Sequence, residues 1–189
     1  DWDKQLKKKG LAEPAQAADY LDQSVYNLSS IVVLAEAQIG GQTKRMLLTG
    51  DARGDHVLEY LETAGLFDED GRIHVDLLKL PHHGSHHNVK DGFFERITAD
   101  HYVASGDGGY DNPELETFEM ISRVRGNGKF TVHVTYPLAE FRSGYKHLKT
   151  LKAFLKEETE RGKRYQVRFR PEEEDAVVID LGDDAYDGS

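Results

Sequence analysis

The sequence predicts an α/β protein, and three observations carry that expectation. Short β-branched and aliphatic runs recur along the chain, separated by stretches whose apolar residues have helical spacing; this alternation is expected of layered α/β architecture. Several of the runs stop abruptly at a cluster of Gly, Asp, His or Asn. At 189 residues and 38% hydrophobic content, the chain can build one ordinary domain or one large half of a bigger one.

The elements follow in order. Residues 1–21 are polar, interrupted by Gly10 and Pro14, and read as a linker with a short lead-in helix. The folded region is expected over residues 22–181. Ser30–Ala35 is a first strand, and Lys44–Thr49 a second. Gly40-Gly41 between them makes the pair a hairpin. Val57, Leu58, Leu61 and Leu66 mark a helix over 55–66. Val75–Leu80 is a third strand, ending at Pro81-His82-His83-Gly84-Ser85-His86-His87-Asn88. Residues 91–98 look helical. Tyr102–Ser105 is a fourth strand, closed by a Gly- and Asp-rich loop that runs to Asn112-Pro113. A helix over 114–124 has Pro113 near its start. Phe130–Tyr136 alternates as a fifth strand, and Tyr145, Leu148, Leu151, Phe154 and Leu155 line one side of a helix over 144–160. Tyr165–Phe169 reads as an edge strand and Ala176–Leu181 as a last one. Residues 182–189 form an acidic tail.

Composition narrows the chemistry. The net charge is −10, which repels polyphosphate at long range and argues against a dedicated nucleic-acid binding module. A nuclease stays open, because bound cations supply local positive charge. With no cysteine, a metal site has to be built from His, Asp and Glu, a donor set that suits zinc, manganese or iron. The same absence agrees with a cytoplasmic address. No apolar run approaches the roughly 20 residues of a membrane span.

Reactive groups in layered α/β proteins gather where strands end. Leu47-Leu48-Thr49-Gly50-Asp51 delivers a carboxylate at a strand's carboxyl end, beside a glycine that permits a tight turn. A carboxylate held there can bridge two cations, though Gly-Asp is also a common plain turn. The second cluster is denser: His82, His83, His86 and His87 are four of the nine histidines. Histidine is both the commonest metal ligand and the usual proton shuttle. His56, His74, His101, His133 and His147 sit singly on expected helices, on a strand or just before strands, and read as packed or surface residues.

Thr49-Gly50-Asp51 followed about thirty residues later by a strand ending Pro81-His82-His83-Gly84-Ser85 resembles the metallo-β-lactamase superfamily. More narrowly, the order resembles the ComEC-type branch of DNA-uptake proteins and related hydrolases. Asn27–Leu34 resembles the strand before the Gly-Asp turn in that branch, and Tyr102–Ser105 with Asn112-Pro113 resembles its next strand and loop. The resemblance runs from about Asp22 to about Met120. It implies a four-layer αββα sandwich, of which this chain supplies roughly the carboxyl-terminal half. It also implies a hydrolase that uses a metal-activated water, with two divalent cations (Zn or Mn) in the complete site and a phosphodiester substrate, nucleic acid included. Asp51 falls where the family has its bridging carboxylate. His83 occupies the place of the family's last histidine ligand; a register shift of one would put His82 there instead. Ser85 and Asn88 become loop-shaping or substrate-contact residues. Asn112 stands where the branch commonly has a histidine before its proline, so a role of that histidine is missing or altered here.

The family's main metal motif, His-x-His-x-Asp-His, does not occur in the chain. Asp51 and His83 alone fall short of the roughly four ligands each cation takes. Three expectations compete: an upstream half in the same protein, which the lack of an initiator Met favours; the same half on a partner chain; or a relative that has lost catalysis and serves as a binding or scaffold module. A half-fold would expose a large apolar sheet face, which calls for the missing half or for self-association.

Overall fold

A computed structural model of the chain describes residue 27 and residues 29–89, 92–142, 148–160 and 165–182. The lead-in expected over residues 1–21, and the acidic tail beyond Gly182, lie outside these. Strand β1 (Val33–Ile39) turns back through Gly40 and Gly41, both left-handed, into antiparallel β2 (Gln42–Leu48). Helix α1 (Gly54–Thr63), β3 (Ile73–Lys79), a single turn α2 (Phe93–Arg96), β4 (Ile97–Ala104), α3 (Leu115–Arg125), β5 (Phe130–Val134), α4 (Leu148–Glu160) and β6 (Tyr165–Phe169) follow. The strands form one mixed six-stranded sheet in the order β1-β2-β3-β4-β5-β6, with β2 to β6 parallel. The protein is thus of mixed α/β class. No helix among the described residues is long and apolar enough to cross a membrane.

Strand order and chain order coincide, and that fixes where the helices go. Right-handed crossovers that always step the same way lay every connecting helix on one face. The row that runs across that face is Leu47, Leu78, Tyr102 and Val132, each no more than 1% exposed. Phe94 and Phe130 pack edge-on against Tyr102, and Phe130 stacks on Tyr165. Each such aromatic ring is worth about 2–3 kcal/mol of burial. Glu158 of α4 accepts a hydrogen bond from Ser122 of α3, tying the last helix to its neighbour.

The opposite face departs from the large apolar surface expected of a half-fold. Its rows run Met46, Leu77, His101, Thr131, Gln166 and Leu48, Lys79, Val103, His133, Arg168. Polar side chains interleave with apolar ones. Four of the exposed apolar residues, Ile31, Val33, Ile39 and Leu48, belong to β1, β2 and the approach to them.

Two expected elements are corrected. The helix expected over 91–98 is one turn, Phe93–Arg96, because Ile97 already pairs with Ile73 as the first residue of β4. Buried Phe93, Phe94 and Ile97 supply the apolar spacing that looked helical. The strand expected over Ala176–Leu181 does not form. The run follows Glu172, Glu173, Glu174 and Asp175, joins no ladder, and leaves Val178 87% exposed. His74 and His101 lie inside β3 and β4 rather than just before strands.

Candidate functional site

Parallel β2, β3 and β4 end side by side, so the segments leaving their carboxyl ends meet. Gly50 turns the chain out of β2 with φ of 55°. A Cβ there would sit 3.3 Å from that of Ser30, whose Oγ accepts the Asp51 amide at 3.2 Å. The bend and the serine together aim the Asp51 carboxylate. Fully buried Thr49 anchors the turn by donating its hydroxyl to the Lys79 carbonyl at 2.7 Å.

The histidine loop is held under backbone strain. Leu80 still donates to Val103, extending the β3–β4 ladder by one bond. His82, His83 and Gly84 are then all left-handed, with φ of 44°, 60° and 89°. Two consecutive non-glycine residues in this region cost roughly 1–2 kcal/mol each, and strain of this kind collects at functional sites. The neighbours that enforce it are visible. The His82 amide donates to Gly50 O at 3.1 Å, Gly84 O accepts from the Glu114 amide and the Thr117 hydroxyl, and a Cβ on Gly84 would lie 2.9 Å from that of Pro113.

The result brings His83 Nε2 to 3.4 Å from Asp51 Oδ1. The other ring nitrogen, Nδ1, lies 3.0 Å from Ser105 Oγ, at the end of β4. With its proton on Nδ1, the ring donates to Ser105 and turns a free lone pair on Nε2 toward the carboxylate. Burial lowers the His83 pKa, and the nearby Lys79 and His82 lower it further against the pull of Asp51. Lys79 reaches in from β3, donating to Gly50 O at 2.6 Å with its ammonium 3.8 Å from Asp51 Oδ1. Burial lowers its pKa too, while Asp51 opposes the shift.

The remaining expected site residues have definite places. His82 Nδ1 is 3.2 Å from Asn88 Oδ1, and its ring centroid is 6.0 Å from that of His83. Asn88 is 3% exposed, and its Nδ2 has no hydrogen-bond partner among the described residues. Ser85 donates to the Glu114 carboxylate at 3.1 Å. Asn112 is buried, and its carbonyl accepts from Gly108 at 2.9 Å. Asp107, on the same loop, is held by the Gly109 amide and by Arg142, which keep its carboxyl below the usual range.

Sequence reasoning missed Lys79, Ser105 and Glu114. Lys79 carried one signal: a cation between two buried leucines, at the strand parity that points away from the helices. Ser105 and Glu114 gave none, because only the adjacency of strands and loops brings them in. No protein-family model matches the chain, no curated protein matches it, and no solved structure matches it.

Proposed function

We propose that the chain is the carboxyl-terminal half of a four-layer αββα sandwich of the metallo-β-lactamase type, ComEC-type branch, and that Asp51 and His83 are metal donors of a hydrolase acting on phosphodiesters, nucleic acid among them. The observation that carries this reading is the 3.4 Å between Asp51 Oδ1 and His83 Nε2. Tetrahedral bonds of about 2.1 Å put neighbouring donor atoms about 3.4 Å apart, and the separation of this pair matches that spacing. A ligating histidine is usually oriented by an acceptor on its far ring nitrogen, and the Ser105 hydroxyl stands in that place for His83.

Divalent cations held there, Zn²⁺ or Mn²⁺, supply Lewis-acid stabilisation of the charge that builds on an attacked phosphoryl group. The chain's own residues do the rest. Ser30 fixes the Asp51 turn, Ser105 fixes the His83 ring, and Asn88 steadies His82, which lies close enough to support the site or move a proton. A chain of net charge −10 needs such cations to accept a polyanion. Two donors do not fill a coordination shell, so an upstream segment bearing histidines, in the same protein or on a partner chain, completes the site in this reading.

The test is metal content by elemental analysis, together with hydrolysis of bis(p-nitrophenyl) phosphate under added Zn²⁺ or Mn²⁺, using the chain joined to the segment that precedes it. About two metals at this site, lost together with the activity on Asp51→Ala, are expected. An inactive protein whose metal content Asp51→Ala leaves unchanged overturns the proposal.

One observation favours a second reading, in which the domain is a non-catalytic scaffold. The Lys79 ammonium already stands beside the Asp51 carboxylate and can neutralise it without a cation. Loss of fold stability without loss of bound metal on Asp51→Ala supports that alternative.

A further inference from the structure

Beyond the Asp51–His83 pair, a second set of donors converges on Glu114, the residue that leads into α3. Its carboxylate is well shielded, with 13% of the side chain exposed. Oε2 accepts from the His86 amide at 2.7 Å and from Ser85 Oγ at 3.1 Å, and it lies 2.8 Å from His86 Nδ1. Oε1 accepts no hydrogen bond among the described residues and faces His87 Nε2 at 4.0 Å. Consecutive side chains usually diverge. Here the tight turn His86–Asn88 swings both imidazoles to one side, with ring centroids 3.9 Å apart. One donor atom from each of His86, His87 and Glu114 lies within 4.8 Å of the others.

We propose that His86, His87 and Glu114 form a zinc site, distinct from the Asp51–His83 pair, that braces the histidine loop against α3. Two imidazoles and one carboxylate are a donor set zinc commonly takes, with positions left for water. Donor atoms around a tetrahedral zinc lie about 3.3–3.4 Å apart; the His86 ring stands 2.8 Å from one carboxylate oxygen and the His87 ring 4.0 Å from the other, so small side-chain movements bring all three donors to that spacing. Entry of the ion replaces the proton that His86 Nδ1 shares with Oε2 and gives Oε1 a partner.

Bracing follows from connectivity. The Glu114 amide donates to Gly84 O, the carbonyl that also receives Thr117, and Gly84 ends the left-handed run containing His82 and His83. A zinc ion joining residues 86, 87 and 114 therefore closes a clamp immediately behind the strained turn. The site draws on neither Asp51 nor His83, so it stands or falls separately from the hydrolase proposal.

The experiment is a zinc titration of the chain against a chromophoric chelator, with cobalt substitution as a spectroscopic readout. His87→Ala is the primary variant, because His87 is 49% exposed and holds none of the loop hydrogen bonds. The chain carrying both Asp51→Ala and His83→Ala is expected to keep one zinc equivalent. Adding His87→Ala should weaken that equivalent by at least about 100-fold, since loss of an outer-shell partner alone costs about 10–100-fold, and should collapse the tetrahedral cobalt absorption. In the otherwise unaltered chain, His87→Ala should remove that same equivalent. His74→Ala, an exposed histidine elsewhere, should change nothing. Zinc affinity indifferent to His87→Ala in both backgrounds, or lowered equally by His74→Ala, overturns the site.

Discussion

His101 Nδ1 lies 3.1 Å from His133 Nε2, joining β4 to β5 on the sheet face opposite the helices. Both rings are nearly buried, at 6% and 5% exposure. One ring donates and the other accepts, so the contact requires an unprotonated nitrogen. Burial lowers both pKa values; for His133, with His101 and Arg168 adding to the effect, the value falls to about 4.

That pair makes stability depend on pH with a definite sign. Unfolded histidine takes up a proton near its ordinary pKa of about 6.5, whereas folded His133 resists protonation until about pH 4. The contribution is fully present above about pH 6.5, declines as pH falls, and levels off below about pH 4. Its size is on the order of 3 kcal/mol. Urea unfolding at pH 7 and pH 5 should show the drop, and His133→Gln should flatten it. An equally steep profile in that variant refutes the assignment.

His83 should invert the usual ranking of glycine and alanine. His83→Gly removes the left-handed penalty that His83→Ala retains. We expect the glycine variant to be about 1 kcal/mol more stable than the alanine variant in chemical denaturation. The two should lose metal at the Asp51 pair equally.

Gly84→Ala is expected to be harmful for two reasons at one position. The φ of 89° disfavours any side chain, and the new methyl would lie 2.9 Å from the Pro113 Cβ. A loss of about 2–4 kcal/mol follows from the strain and overpacking together. Thermal unfolding measures it, and an unchanged midpoint contradicts the packing described for the loop.

Lys79→Met separates the two readings of the Asp51 pair. A cation bound at Asp51 competes with the ammonium 3.8 Å away, so removing the lysine should raise divalent-metal affinity by about tenfold. If the ion pair is itself the purpose, the variant binds no metal and only loses stability.

Much of the fold was legible because apolar runs and helical spacing are local. The hairpin at Gly40-Gly41 and the helix whose buried face is Val57, Leu58 and Leu61 needed no tertiary information. Phe93 and Phe94 misled because apolar spacing alone does not say where a short turn yields to a strand. Ala176–Leu181 misled because a strand also needs a partner, and this run joins none. The strand ends marked Asp51 and the histidine cluster as candidates, while the choice of His83 within that cluster came from the resemblance. The distance between Asp51 and His83, and the hold of Ser30, Ser105 and Lys79 on them, depend on β2, β3 and β4 lying side by side, which no stretch of sequence states.

The coincidence of strand order with chain order bears on biosynthesis. Each parallel strand docks beside the one made just before it, so the contacts that build the sheet stay short in sequence and their closure entropy small. A growing chain can add layers to its newest edge as it leaves the ribosome. Asp51, His83 and Ser105 are all synthesised by residue 105, before β5 and β6 exist. The carboxyl-edge cluster can therefore assemble on a nascent sheet whose far edge is still being translated.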